Sequence, residues 1–189
     1  MVRALKHHEQ KLLRKTDLYT YKSDQGHRAG KVSQDYKLDP GSEEYNKYNQ
    51  IAGSVRKLAH KLSRMDPEDP VRRKLESDML YKLHNMGIIK KSREQGGALS
   101  QVEHITVSDL ARRRLAVMMV HQRKMPTIQA AIDAIAEGHV RIGTQVVQDP
   151  ATLVTRNMED YVQWVPNSSF RQAGLEYRGK RDDYDSLQA

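Results

Sequence analysis

Cysteine is missing from all 189 residues, which removes disulfides, thiolate zinc sites and thiol nucleophiles from consideration and fits a reducing compartment. Tryptophan and phenylalanine occur once each, and the mean hydropathy is −0.79. No apolar run approaches the roughly 18 residues that a membrane span needs, and bulky anchors for a membrane-surface helix are scarce. The opening Met1 to Leu13 is charged and lacks the apolar centre of a secretory signal, so export is not expected. The pairs Gly26/Gly30 and Gly96/Gly97 lack the GxxxxGK[ST] spacing of a phosphate loop. What the chain has in excess is positive charge: 32 Lys and Arg against 24 Asp and Glu give a formal +8. Such a surplus attracts a polyanion, and with membrane anchors so sparse, nucleic acid is favoured.

The first forty residues scatter Arg3, Lys6, Lys11, Arg14, Lys15, Lys22, Arg28 and Lys31 among aromatics, with Gly26, Gly30 and Pro40–Gly41 interrupting any long period. This reads as a basic arm. It is either solvated or folded onto RNA or a partner protein through Tyr19, Tyr21 and His27, and both remain open. From Ser42, a plausible cap, the apolar residues Tyr48, Ile51, Ala52, Val55, Leu58, Ala59 and Leu62 recur at spacings of three and four and predict an amphipathic helix. Asp66 to Pro70 ends it. A second helix carries Val71, Leu75, Met79, Leu83 and Met86, with Gly87 placed as its left-handed cap. The short linker predicts a helical hairpin, and Lys91 to Gln101 reads as a connector.

Beyond it, Ser108 is read as the cap of one helix containing Leu110, Ala111, Leu115, Met118 and Met119, with Arg112, Arg113 and Arg114 spread over its other directions. After Met125–Pro126, Thr127 caps a helix with the buried stripe Ile128, Ala131, Ile132 and Ile135, stopped by Gly138. Val140 to Ile142 then alternates as a strand, Gly143–Thr144 turns, Val146–Val147 returns, and Asp149–Pro150 turns again before the segment from Leu153 to Val165.

That order, with Arg113-Arg114-Leu115, the helix opening Thr127-Ile128-Gln129-Ala130-Ala131 and the run Glu137-Gly138-His139-Val140-Arg141-Ile142-Gly143, resembles the RNA-binding domain of small-subunit ribosomal protein S4, over roughly Arg112 to Pro166. Three further segments resemble the small eukaryotic U3 nucleolar ribonucleoprotein subunits that carry this domain. They are Met1 to Leu13, Asp24-Gln25-Gly26-His27-Arg28, and Asp149-Pro150-Ala151 through Leu153 to Tyr161. The resemblance spans almost the whole chain. It implies a nuclear, nucleolar component of the small-subunit processome, acting in pre-rRNA processing and small ribosomal subunit biogenesis. Its implied partners are U3 small nucleolar RNA, pre-rRNA and the M-phase phosphoprotein scaffold, and it implies help for snoRNA–pre-rRNA pairing. The expected class is α+β: a basic arm (1–41), a helical hairpin and connector (42–106), the S4-type module of two helices, a short β-hairpin and a strand (107–166), and a polar tail (167–189). A small-subunit ribosomal protein of the S4 family, and a protein-interaction subunit without direct RNA contact, are the alternatives.

Arginine suits phosphate because its planar guanidinium forks onto two oxygens and stays charged. Arg112, Arg113, Arg123, Lys124 and Arg141 are the candidate surface, against the alternative of a solvated charged face. Arg114 joins them unless it makes an internal salt bridge. Thr127 and Gln129 sit at a helix start, where free N–H groups and the dipole favour a phosphate, or serve as cap and surface residue. His139 either stacks on a base or touches a phosphate, or is a structural histidine. His7 and His8 are adjacent and diverge on a helix, so no metal is expected, nor any cofactor. The S4-type domain also accompanies pseudouridine synthases and a tRNA synthetase, but there the catalysis belongs to a separate large domain for which this chain has no room. Asp182, Asp183 and Asp185 read as a solvated tail, so no catalytic residue is expected.

Overall fold

The computed structural model describes residues 4–15, 28–39, 41, 43–90 and 98–179. The arm residues Tyr19, Tyr21 and His27, the Ser42 cap, the connector glycines Gly96 and Gly97, and the tail acids Asp182, Asp183 and Asp185 lie outside the described residues. Ten helices and a three-stranded sheet are found among the described residues, and the architecture is α+β. Two apolar clusters divide the interior, one from Val32 to Ala111 and the other from Leu115 to Val162.

Helix α1 (His7–Lys15) buries nothing. Helix α2 (Arg28–Tyr36), within the stretch read as a basic arm, packs back onto the chain itself, burying Val32 and the following Leu38 in the first cluster. The long α3 (Glu44–Ser63) buries Tyr48, Ala52, Ala59 and Leu62, and its two alanines allow the close approach of α5 (Leu99–Glu103) and α6 (Val107–Ala111). Helix α4 (Pro70–Asn85) starts within the segment read as a break, with Pro70 at its first position and Asp69 accepting from the Val71 amide at 2.8 Å. It ends on Gly87 at φ +74, where the Gly87 and Ile88 amides donate to the His84 and Leu83 carbonyls. The expected apolar stripes are only half buried. Leu80 and Leu83 go inside, whereas Ile51, Leu58, Val71 and Leu75 stay exposed. An open apolar groove of about 470 Å³ separates α3 from α4, because α3 spends its buried face on α5 and α6.

The single helix expected from Ser108 onward is two. Thr106, not Ser108, caps α6 in a reciprocal capping box with Asp109. The chain then leaves helical geometry at Arg114, which is extended (φ −64°, ψ 143°), and re-enters it in α7 (Leu115–His121). The break is imposed from afar. The Leu115 amide donates to Thr152, the Val154 amide donates to Arg113, and Arg114 bridges to Leu153.

Helix α8 (Ile128–Ala136) packs on α7, capped by the Thr127 hydroxyl accepting from the Ala130 amide at 3.2 Å. Ala131, Ala134 and Ile135 are buried, and Gly138 at φ +79 closes the helix. Strand β1 (Val140–Ile142) pairs antiparallel with β2 (Gln145–Val146) and with β3 (Val162–Trp164), setting Arg141 opposite Val146 on one side and Gln163 on the other. The β1–β2 turn is Gly143–Thr144, with Gly143 at φ +61, as a two-residue hairpin requires. Helix α9 (Arg156–Glu159) precedes β3, and α10 (Ser169–Tyr177) follows it.

Candidate nucleic-acid interface

The arginine triplet that opens the module splits three ways. Arg112 faces outward, 62% exposed, with its Nε donating to the Tyr36 hydroxyl at 3.1 Å and its Nη1 to Asp109 at 3.2 Å. Arg113 turns inward. It is 11% exposed, donates to the Val154 carbonyl at 2.9 and 2.6 Å, and pairs with Glu159 at 2.5 Å. Its guanidinium lies over Gly87, where a Cβ would meet Cζ at 2.5 Å, so that glycine is needed for space as well as for φ. Arg114 is buried at 1%, paired with Glu44 at 3.0 Å and donating to the Tyr36 carbonyl at 2.8 Å. A buried charge persists only when paired and hydrogen-bonded. Arg113, proposed from sequence as an RNA contact, is held within its own module by Val154 and Glu159, and Arg114, proposed likewise unless internally paired, joins the two halves of the chain through Glu44 and Tyr36. Arg156, which the sequence did not single out, does the same by donating to the His84 and Ile89 carbonyls at 2.8 and 2.9 Å.

Of the remaining candidates Arg123, Thr127 and Gln129 are exposed, and Lys124, His139 and Arg141 are partly buried. Arg123 is exposed and sits at φ +57, the left-handed position that ends α7. Its amide and that of Lys124 donate to Val120 and Met119, the same pattern that Gly87 and Gly138 complete at their helices. Glycine is the usual occupant of that position, so an arginine there carries backbone strain. Lys124 donates to the Val162 carbonyl and is half-buried, and burial lowers its ammonium pKa. Arg141 donates to Gln163 at 3.2 Å. Lys124 and Arg141 line one cavity with Trp164 and Phe170, and His139 borders it with its ring edge-on to Phe170. His139 also meets Glu137 at 3.1 Å. Thr127 serves as the cap, and Gln129 is exposed and donates to Asp133 at 3.2 Å on its own helix. Among the described residues no cluster of three His, Asp or Glu side chains forms a metal site, and no helix is long and apolar enough to cross a membrane.

Two packed helices, a tight hairpin and a returning strand, edged with outward cations, define an S4-domain protein, and residues 113–160 match the S4 domain family. Residues 4–104 match the ribosomal protein S4/S9 N-terminal domain. The chain is 49% identical over 186 residues to the U3 small nucleolar ribonucleoprotein protein IMP3 of Saccharomyces cerevisiae, covering 98% of this chain and 99% of that protein. It is 39% identical to the Homo sapiens protein of that name, with 98% of each covered. Over 137 residues it is 27% identical to small ribosomal subunit protein uS4 of Hyperthermus butylicus, covering 72% and 74%. The chain belongs to the IMP3 family of U3 small nucleolar ribonucleoprotein proteins.

Proposed function

We propose that this protein is a non-catalytic RNA-binding subunit of the U3 small nucleolar ribonucleoprotein, acting in the nucleolus in pre-rRNA processing and small ribosomal subunit biogenesis. The observation that carries this reading is the match over nearly the full length of IMP3 proteins, on a chain whose S4 module keeps Arg112 and Arg123 exposed after its internal arginines are accounted for. Exposed guanidinium groups neutralise phosphates and release counterions. By screening two strands at once, they lower the repulsion that opposes their approach. The protein thus brings U3 small nucleolar RNA and pre-rRNA into register and stabilises the paired product without nucleotide or metal.

The M-phase phosphoprotein scaffold is the protein partner in this reading, and the apolar groove between α3 and α4 is the surface for it. What supports that assignment is the groove's lining of Ile51, Val55, Leu58, Leu75 and Met79, which the described residues leave open. The testing experiment is an annealing assay with two labelled oligonucleotides from the pairing region, with and without the protein and with no nucleotide or metal added. Faster pairing and a more stable duplex are expected. An unchanged rate and stability at saturating protein would sink the annealing role.

A further inference from the structure

A second binding element lies where the S4 module meets α10. There β3 and α10 enclose a cavity of about 340 Å³ against Lys124 and Arg141. Most of its wall comes from residues after 160, beyond the stretch that matches the S4 domain family. Among the described residues four cations line it, Lys124, Arg141, Arg171 and Arg178, and no carboxylate does. Its apolar wall is an aromatic pair. Trp164 and Phe170 are stacked at 5.1 Å between centroids and 20° between planes, and His139 stands edge-on to Phe170 at 79°.

We propose that this cavity binds one unpaired nucleotide of an RNA strand, with its phosphate on Arg171 and Arg178 and its base against the Trp164–Phe170 pair. The proposal rests on the RNA-binding reading above and adds a place and a form of RNA to it. Four like charges around one hollow repel one another, and a polyanion relieves that repulsion. The buried Nε of Arg141 has no acceptor among the described residues, although its Nη2 is engaged by Gln163. Aromatic rings beside a basic track are how single-stranded nucleic acid is held, since every base offers a π-face. The volume is at the small end of the roughly 300–1,000 Å³ typical of small-ligand sites, suited to a single nucleotide. A paired A-form helix keeps its bases stacked inside and presents none to such a hollow.

Two features make this testable in the full chain. Trp164 is the chain's one tryptophan, so emission excited beyond the absorption of its nine tyrosines reports on the cavity. Gly174 lines the cavity from a helical position, and a Cβ built there meets nothing within 4 Å. Gly174→Leu should therefore occupy the hollow without disturbing the fold, with Gly174→Ala as its control. The probe is a twelve-nucleotide single-stranded RNA of mixed sequence, titrated beside the duplex of the same sequence, with binding read by anisotropy and by Trp164 emission.

The single strand is expected to change Trp164 emission, and Gly174→Leu, Phe170→Ala and the pair Arg171→Glu/Arg178→Glu should each weaken its binding about tenfold or more, as loss of one stacked base does. Binding of the single strand with unchanged emission and equal affinity for Gly174→Leu would overturn the cavity proposal and leave the RNA-binding reading standing. No binding of either RNA by the wild-type chain would overturn both.

Discussion

Arg114 and Glu44, seventy positions apart, form an ion pair in which Nη2 donates to Oε1 at 3.2 Å and lies 3.0 Å from Oε2, with the side chains 1% and 8% exposed. The pair ties the break between α6 and α7 to the first residue of α3. Arg114→Met should cost about 3–5 kcal/mol in urea unfolding, because it strands a buried carboxylate. Arg114→Met/Glu44→Met should recover most of that loss. Additive destabilisation in the double variant would show that the two side chains act independently.

Arg123 occupies the backbone position that Gly87 and Gly138 fill at the other helix ends. Arg123→Gly should stabilise the fold by about 1 kcal/mol through relief of left-handed strain, while RNA affinity falls. Thermal unfolding and RNA titration on the same preparation would separate the two effects. A variant that loses stability would mean the arginine side chain holds the turn together.

Wild-type affinity for RNA should fall steeply with salt, and Arg112→Glu or Arg123→Glu should each lower the slope of log K against log salt by about one. Arg113→Glu behaves differently. It sets a carboxylate against Glu159 and the Val154 carbonyl, so its effect should appear in unfolding rather than in the slope. A salt slope unmoved by the two surface reversals would remove them from the interface.

Leu83→Ala should cost about 2–5 kcal/mol, since Leu83 is buried in the first apolar cluster. Leu58 is 44% exposed and lines the open groove, so Leu58→Ala should shift stability by no more than about 0.5 kcal/mol. Co-purification of the scaffold with the Leu58 variant then tests the groove directly: undiminished recovery would assign the partner to another face.

Burial, then the nearby Glu44 carboxylate, raises the Tyr48 phenol above its ordinary pKa of 10.0. The folded protein thus keeps the proton that the unfolded chain releases first. This contribution is fully present below pH 10.0 and is lost as pH rises from there through the raised value. In denaturant unfolding across that window, Tyr48→Phe should show a shallower decline than wild type. Identical slopes would mean that other groups dominate.

Local signals were readable because local physics generates them. Gly87 and Gly138 take the left-handed position after a helix, Thr127 caps α8, Asp66 to Asp69 separates α3 from α4, and Gly143 turns the hairpin. Each depends on a few neighbouring residues. A charge count likewise predicts a polyanion partner whatever the fold.

What the arginines do was decided only in three dimensions. Arg112, Arg113 and Arg114 are equivalent in one-dimensional composition, yet one faces solvent and two are drawn inward by Glu159 and Glu44, forty-six and seventy residues away. The same long-range pairing with Thr152 and Val154 breaks the helix that periodicity alone would continue. Periodicity marked the stripe on α3 as apolar, but not which part of it would be covered. Ala52 and Ala59 admit α5 and α6, whereas Ile51 and Leu58 meet open space. The aromatic wall of the cavity is of the same kind, since Trp164 and Phe170 stack only after β3 and α10 fold against each other. Sequence by itself determined the local caps and turns and the sign of the net charge. Tertiary structure alone decided which charges and which apolar side chains are left for a partner, because burial and pairing depend on residues that only the fold brings within reach.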